Sequence, residues 1–453
     1  MSRLFGKNGF RAIAVTELTC ELAMQIGRAA SKVFSTNKKD RGTRIFIGRD
    51  IRNSSDVIES ALCSGICSAG MDPELLGAVT VPALAWHIKE HGAAGGIMIT
   101  ASHAAAEYSG IKLFSADGYR LDDGLEAEIE RLILDSPDEL MPVRLKKYGT
   151  ISRYENAAGE YAEHLKTLSL TDLSGIKAAV DCACGSTAFT ALNVFSGLGA
   201  EIISVDDEPD GYNINSSGST RIEKLMEAVT KNNCSCGIAF DGSGERCLAV
   251  DEKGDLVDGD MIIAACAGYL MERELLKNNT ISVNQANNLG LIQFARKNGI
   301  LVSAAPISEK GLLRRMLESG SGIGGDPAGR ILFPDISTTY DGQLTGLRLL
   351  EALKSSGKKM SELVGAIEKW PQVMLNVPIE KKFREIWKND RAITGLIDEF
   401  SEILGEDGRI VVREIGAEPV IRIRIEGKDF SVINAMAIQI ADTIKERMEE
   451  TDK

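Results

Sequence analysis

The run Gly96-Ile97-Met98-Ile99-Thr100-Ala101-Ser102-His103, closing with Tyr108-Ser109-Gly110-Ile111-Lys112-Leu113-Phe114, is the strongest constraint on how this chain folds. Ile97 to Ile99 read as a short buried strand and small, polar residues follow at once, so Ser102 and His103 are expected on a loop at that strand's carboxyl end. In open α/β sheets that is where ligands bind. A serine hydroxyl there, with a histidine beside it and Lys112 ten positions on, is equipped to take and return a phosphoryl group, because a positioned cation offsets the charge that develops in transfer. A Ser-His pair that merely caps a helix or turn is the competing reading, and these residues alone leave the two in balance.

Around this stretch the chain repeats a strand-helix grammar. Glu17 to Phe34 has the period of an amphipathic helix, and Thr43 to Gly48 reads as a buried strand. Gly48-Arg49-Asp50-Ile51-Arg52-Asn53-Ser54-Ser55 leaves that strand and opens a helix to about Gly70, with serines suited to its amino-terminal cap. Residues 1–152 are therefore expected to form one α/β domain. A second, 153–255, has strands at Ile176 to Asp181, Glu201 to Val205 and Cys236 to Phe240, with a helix from Gly185 through Leu198. A third, 256–368, has helices from Asp258 to Glu272 and after Asn288, and strands at Thr280 to Val283 and Leu301 to Ala305. Its run Gly320 to Arg330 is too rich in glycine for regular structure and precedes the strand Ile331 to Phe333. The last unit, 369–453, changes grammar: Val373 to Val377, Arg409 to Arg413 and Val420 to Glu426 alternate like antiparallel strands, and Phe430 to Met448 closes as a helix. The expected class is α/β, with three α/β domains of mixed sheets and a C-terminal α+β domain; 453 residues suit three or four domains.

A net charge of -13 argues against nucleic acid or an acidic membrane surface as the main partner, since both require a basic face. No stretch approaches the roughly 20 apolar residues that span a bilayer, and the start, with Arg3, Lys7 and Arg11, lacks the apolar core of a signal peptide, so the expected location is the cytoplasm. Nine scattered cysteines fit reduced thiols. Cys182 with Cys184 and Cys234 with Cys236 are expected as small buried residues rather than a zinc site, and His87-Ile88-Lys89-Glu90-His91 lacks the glutamate that a metalloprotease places directly after its first histidine.

Three further loops carry candidate chemistry. Asp241-Gly242-Ser243-Gly244-Glu245-Arg246 spaces oxygen ligands between glycines, as a tight loop around a hard cation such as Mg²⁺ does; an ordinary hairpin turn is the alternative. Gly325-Asp326-Pro327-Ala328-Gly329-Arg330 reads as a binding loop or a long connection. Arg413 and Arg422, near Glu414-Ile415-Gly416-Ala417-Glu418-Pro419, suit a bidentate phosphate clamp or the exposed face of a sheet.

In this order along the chain, the four loops resemble those of the α-D-phosphohexomutase family, which has four domains around a central cleft and draws a serine, a metal, a sugar and a phosphate loop from them in turn. Pro209-Asp210-Gly211-Tyr212-Asn213-Ile214-Asn215, Gly218-Ser219-Thr220, Val257-Asp258-Gly259-Asp260 and Asn287-Asn288-Leu289-Gly290-Leu291 are similar to the family's hexosamine-phosphate branch. The resemblance implies interconversion of a hexosamine (or hexose) 6-phosphate and 1-phosphate through a phosphoserine and a bisphosphorylated intermediate. It implies Ser102, His103, Lys112 and Arg11 as catalytic residues, and Ser102, Asp241, Ser243 and Glu245 around Mg²⁺. Arg246, Gly325, Asp326, Arg330, Arg413, Gly416 and Arg422 would bind the sugar phosphate, a bisphosphorylated hexose would prime Ser102, and a homodimer is a possible assembly.

The departures are systematic. Asn-Pro after Ser-His has become Ala104-Ala105; the metal loop's middle aspartate is Ser243 and its last is Glu245. The sugar loop carries Ala328 and Arg330 where serine and histidine are usual, and in the phosphate loop both hydroxyls are gone while Glu414 adds a negative charge. Two lost hydrogen bonds to a charged group, at about 1.5 to 3 kcal/mol each, would weaken substrate binding by a hundredfold or more. Two functions are thus in contention: a Mg²⁺-dependent phosphohexose mutase, or a catalytically impaired homologue that binds a sugar phosphate or a protein partner.

Overall fold

The structure is a computed structural model that describes residues 4–6, 9–36, 42–142, 147–414 and 419–451. The chain forms two compact units, residues 1–284 with 299–366, and residues 285–298 with 367–453.

The first unit contains three sheets. In the first, β1 (Phe10–Ile13), β2 (Arg44–Arg49), β3 (Asp72–Ala78), β4 (Gly95–Ile99), β5 (Tyr108–Ser115) and β6 (Ser152–Arg153) run in the order β1-β5-β4-β2-β3-β6. The inner strands β4, β2 and β3 are parallel, whereas β5 is antiparallel to both β4 and β1. Every residue of β4 is buried, which explains why its sequence is a continuous apolar run rather than an alternation. The helices Cys20–Thr36 and Ser55–Ser68 cover one face; at Gly65 a Cβ would lie 2.1 Å from the carbonyl oxygen of Met24, so only glycine allows them to cross this closely. Ser54 precedes the second of these helices but makes no capping bond with its side chain, contrary to the expectation; its backbone is already helical there.

The second sheet, in the order β11-β10-β9-β7-β8, comprises β7 (Lys177–Asp181), β8 (Glu201–Val205), β9 (Cys236–Phe240), β10 (Cys247–Asp251) and β11 (Leu256–Val257). β9 is parallel to β7 but forms a hairpin with β10. The helix expected from Gly185 through Leu198 is broken into a 3₁₀ turn at Ser186–Phe189 and a helix at Ala191–Gly197. The third sheet, β13-β12-β14-β15, contains β12 (Thr280–Val283), β13 (Leu301–Ala304), β14 (Ile323–Gly325) and β15 (Ile331–Leu332). Thus the glycine-rich run from Gly320 is not wholly irregular: Ile323–Gly325 is a buried strand parallel to β12, where glycine fits because a Cβ on Gly324 would lie 2.8 Å from the carbonyl oxygen of Ser282. All nine cysteines are free thiols, and Cys182, Cys184, Cys234 and Cys236 are buried. Among the described residues no helix is long and apolar enough to cross a membrane.

In the second unit β16 (Gln372–Pro378), β17 (Gly408–Glu414) and β18 (Val420–Gly427) form an antiparallel sheet ordered β16-β18-β17. Ile421, Ile423 and Ile425 point from one face into a core with Ile433, Ile440 and Ile444 of the closing helix Phe430–Thr451. Arg422 and Arg424, at the alternate positions, lie on the other face. The segment 285–298, with the helix Leu289–Lys297, belongs to this unit: Asn288 exchanges two hydrogen bonds with the backbone of Trp370, and Arg409 and Arg424 bind the carbonyl oxygens of Asn287 and Gln285, each at 2.6 Å.

Candidate active site

β4 delivers Thr100, Ala101 and Ser102 to its carboxyl end. The turn is held from beneath by residues whose sequence gives no sign of chemistry. Asp50, at the end of β2, accepts from the Thr100 hydroxyl at 2.6 Å, and the Thr100 oxygen accepts from the Ser102 amide at 2.9 Å. Arg52, almost wholly buried and paired with Asp50 at 3.0 Å, donates to the carbonyl oxygens of Ser102, Ala104, Ala105 and Tyr108. Asn215 also donates to Ser102 and Ala104, each at 2.9 Å, and accepts from Gly242 N at 2.8 Å, which ties the serine loop to the loop after β9. Under these restraints Ser102 takes a φ of +54°, an unfavourable left-handed conformation of the kind that surrounding structure must over-determine. Arg52→Leu is expected to cost about 3 to 5 kcal/mol, because it leaves Asp50 a buried charge without its partner; equilibrium denaturation measures it, and hydrogen exchange should show the 102–108 segment opening first.

The loop 241–246 is the turn of the β9–β10 hairpin. Gly244 has a φ of +73°, and a Cβ there would lie 2.6 Å from the Thr80 methyl, so the loop can close this tightly only with glycine. The closure brings together Ser102 Oγ and Asp241 Oδ2 at 2.8 Å, Ser243 Oγ and Asp241 Oδ2 at 2.8 Å, Ser243 Oγ and Glu245 Oε2 at 2.7 Å, and Ser243 Oγ and Ser102 Oγ at 3.2 Å. Two hydroxyl protons cannot satisfy four such contacts at once, so the cluster is rich in oxygen and poor in hydrogen. Cis ligands at about 2.1 Å from an octahedral Mg²⁺ are about 3.0 Å apart, and the donors are all hard oxygens, so these residues fit that ion. Against it stands Lys112, whose ammonium grips Glu245 Oε1 at 2.6 Å and Oε2 at 2.5 Å.

Charge in this cluster is balanced closely. Burial pushes the Asp241 carboxyl up, but the Arg246 guanidinium and hydrogen bonds from Ser243, Ser102 and Arg246 N hold it below the ordinary carboxylate value. Burial likewise opposes the Glu245 charge, and Lys112 overcomes it. His103 is pushed down to about 4, first by burial and then by the cations of Arg246 and Arg11. Its Nδ1 lies 3.0 Å from Arg246 Nη2; a guanidinium only donates, so Nδ1 accepts and the neutral ring carries its proton on Nε2.

Arg11, Ser102, His103, Lys112, Glu245, Arg246, Glu309, Arg330 and Tyr340 line one cleft of the first unit. The sugar-loop candidates adjoin it: Arg330 pairs with Asp326, Ala328 N donates to Asp326 Oδ1 at 3.0 Å, and Gly325 pairs with Ile331 in the sheet. A backbone bridge between Arg246 and Arg330 links this loop to the loop after β9. Arg11 has no side-chain hydrogen bond among the described residues and Arg246 Nε is buried without a partner, so both keep donors available for an anion. Sequence reading missed Glu309 and Tyr340, which arrive from separate helices and loops; Asp50, Arg52 and Asn215 stood in quoted motifs, but without a role.

Arg413 and Arg422 belong to the second unit, as cross-strand partners on β17 and β18. Arg422 donates to Asn376 Oδ1 at 2.9 Å, while the Arg413 side chain has no hydrogen-bonding partner among the described residues. Glu414 does not stand beside them as a free charge. Arg384 at 2.6 Å, Trp387 Nε1 at 3.1 Å and Lys388 at 3.1 Å enclose its carboxylate, and these contacts hold its pKa down to about 2 despite burial. Gly416 and Glu418 lie outside the described residues.

Family models for phosphoglucomutase/phosphomannomutase match in order: α/β/α domain I over residues 2–139, domain II over 159–254, domain III over 258–370 and the C-terminal domain over 374–443. A phosphoglucosamine mutase of Caldicellulosiruptor saccharolyticus is 41% identical over 451 residues, 99% of this chain and 100% of that protein, and one of Acetivibrio thermocellus is 39% identical over 449 residues, again 99% and 100%. Among solved structures, a phosphoglucomutase/phosphomannomutase family protein from Burkholderia thailandensis superposes with a TM-score of 0.82 at 21% identity, covering 98% of this chain and 97% of its own. Aspergillus fumigatus N-acetylphosphoglucosamine mutase, in complex with GlcNAc-6P and magnesium, gives 0.70 at 16% identity, covering 99% and 96%. With all four domain types matched and full-length relatives near two-fifths identity, the chain belongs to the phosphoglucomutase/phosphomannomutase family.

Proposed function

We propose that this chain is a phosphohexose mutase that interconverts the 6-phosphate and 1-phosphate of a hexosamine, with glucosamine phosphate, the substrate its relatives are named for, as the preferred one. The observation that carries this reading is the Ser102 hydroxyl, held in a left-handed turn at a strand's carboxyl end, 2.8 Å from Asp241 and within a cleft of cations. Phosphorylated Ser102 passes its phosphoryl group to the free hydroxyl of a bound sugar monophosphate. The serine P–O bond breaks as the sugar P–O bond forms, and phosphoryl and proton change places, so that Ser102 ends as a hydroxyl and the sugar as a bisphosphate. Ser102 then retrieves the phosphoryl group from the other position.

Lys112, Arg11 and Arg246 offset the charge on the transferring oxygens, and His103, neutral at physiological pH, donates from Nε2. Asp326, Arg330 and the Gly325 backbone are the candidates to bind the sugar; Arg413 and Arg422, with Gly416 by its place in the sequence, are the candidates to bind a phosphate. Ser102, Asp241, Ser243 and Glu245 would hold Mg²⁺, which supplies charge neutralisation to the phosphoryl group.

The second reading, an impaired homologue that only binds sugar phosphate, draws on the Lys112–Glu245 pair that occupies the oxygen cluster. Intact mass separates the two. After incubation with a hexose bisphosphate and Mg²⁺, the protein is expected to gain about 80 Da, mapped to Ser102. No gain, together with no exchange of glucosamine, glucose or mannose phosphates above a Ser102→Ala control, leaves the impaired homologue as the answer.

A further inference from the structure

Three of the four histidines lie away from Ser102, around Trp86. Two of them, His87 and His91, are one turn apart on the helix Val81–His91, with rings stacked 5.2 Å apart. Glu160 approaches from the first turn of the helix Ala157–Thr167, and one ligand-capable atom from each of the three lies within 4.8 Å of the other two. This carboxylate is what the sequence motif lacked: the helix carries no glutamate directly after His87, and the partner arrives from 69 residues beyond His91.

Bonding around the trio leaves one buried ligand atom without a partner. His87 is fully buried, and its Nε2 lies 2.9 Å from the carbonyl oxygen of Ala157. A carbonyl only accepts, so Nε2 carries the proton and Nδ1 is left as a bare lone pair, buried and without a partner. Metal-binding histidines characteristically donate their second ring nitrogen to a carbonyl or carboxylate, which fixes the tautomer. Glu160 Oε2 accepts from the Tyr154 hydroxyl at 2.8 Å and lies 3.5 Å from His91 Nε2, which is also 3.3 Å from that hydroxyl, so a bound ion replaces a hydrogen bond at His91.

We propose that His87, His91 and Glu160 form a second metal site, for a divalent transition ion such as Zn²⁺, Ni²⁺ or Co²⁺, that staples the helix Val81–His91 to the helix Ala157–Thr167. Two neutral imidazoles and one carboxylate are the donors that borderline ions take in three-ligand sites with one position left to water, and they are a poor set for Mg²⁺. Metal–ligand bonds of about 2.0 to 2.2 Å place donors about 3.4 Å apart, so the side chains close by roughly an ångström on binding. The site is chemically separate from the all-oxygen cluster at Ser102.

The test uses the untagged full chain, stripped with a chelator and kept in millimolar Mg²⁺. Titration with Co²⁺ and Ni²⁺ is expected to give one ion per chain, to quench Trp86, whose ring lies 4.7 Å from that of His87 and 5.8 Å from that of His91, and to raise the melting temperature. His91→Gln and Glu160→Gln, chosen because both side chains are only partly buried, should each weaken binding by about 100-fold while their metal-free melting temperatures stay near that of the parent. Absence of stoichiometric binding, unchanged affinity in either variant, or a thiolate-to-cobalt charge-transfer band, which would assign the ion to cysteines, overturns the proposal.

Discussion

Ser102→Ala is expected to lower the exchange of 6- and 1-phosphates by about 10⁴-fold or more, since removal of a covalent nucleophile forfeits the whole chemical route rather than one contact. The same substitution should leave stability within about 1 kcal/mol of the parent. The hydroxyl contributes one hydrogen bond to Asp241, and Asp241 keeps its bonds from Ser243, Glu245 N and Arg246 N. A coupled assay of turnover, run beside thermal melting, separates the two effects. Turnover within tenfold of the parent would show that another group carries the phosphoryl; a collapsed melting temperature would show that Ser102 is a structural element of the turn.

What a single sequence reveals of this site follows from the range of the interactions involved. Ser102 was legible because an apolar run ends just before it, and a strand's carboxyl end is decided locally. The loop from Asp241 to Arg246 was legible because its glycines and oxygens alternate within six residues. Lys112 and Glu245 are each visible, but their pairing spans 133 positions and depends on how β5 and the β9–β10 hairpin come together. The structural reading of Arg52 was hidden for a different reason: it binds backbone carbonyls, which every residue possesses, so no partner side chain marks it. Glu414 shows the reverse error. In the sequence it is a negative charge beside a phosphate clamp; in the sheet it alternates away from Arg413 and is enclosed by Arg384, Trp387 and Lys388. The division of the chain was obscured by Asn288, whose side chain pairs with Trp370 and draws the helix Leu289–Lys297 into the C-terminal unit, although its neighbours in sequence build the third sheet.

Ser243→Asp should tighten Mg²⁺ binding by about tenfold or more, because affinity for a hard cation rises with the number of charged oxygens around it. The cost appears when the ion is withheld. Asp241 and Glu245 are already buried, and their charges are balanced by Lys112 and Arg246; a third carboxylate in place of the Ser243 hydroxyl, which lies 2.8 Å from Asp241 and 2.7 Å from Glu245, has no cation of its own, so one of the three must take up a proton or the loop must open. The metal-free variant is therefore expected to melt below the parent, and the two curves to converge or cross as Mg²⁺ is added, since a tenfold tighter ion stabilises by about 1.4 kcal/mol more at saturating concentrations. Calorimetric titration and melting at graded Mg²⁺ measure both halves. Lys112→Met should act in the same direction on affinity by freeing Glu245 from its ammonium, and it should depress turnover, which Ser243→Asp need not. If neither substitution changes the Mg²⁺ dependence, the ion is not held between Asp241 and Glu245, and the Lys112–Glu245 pair is the permanent charge balance of this loop.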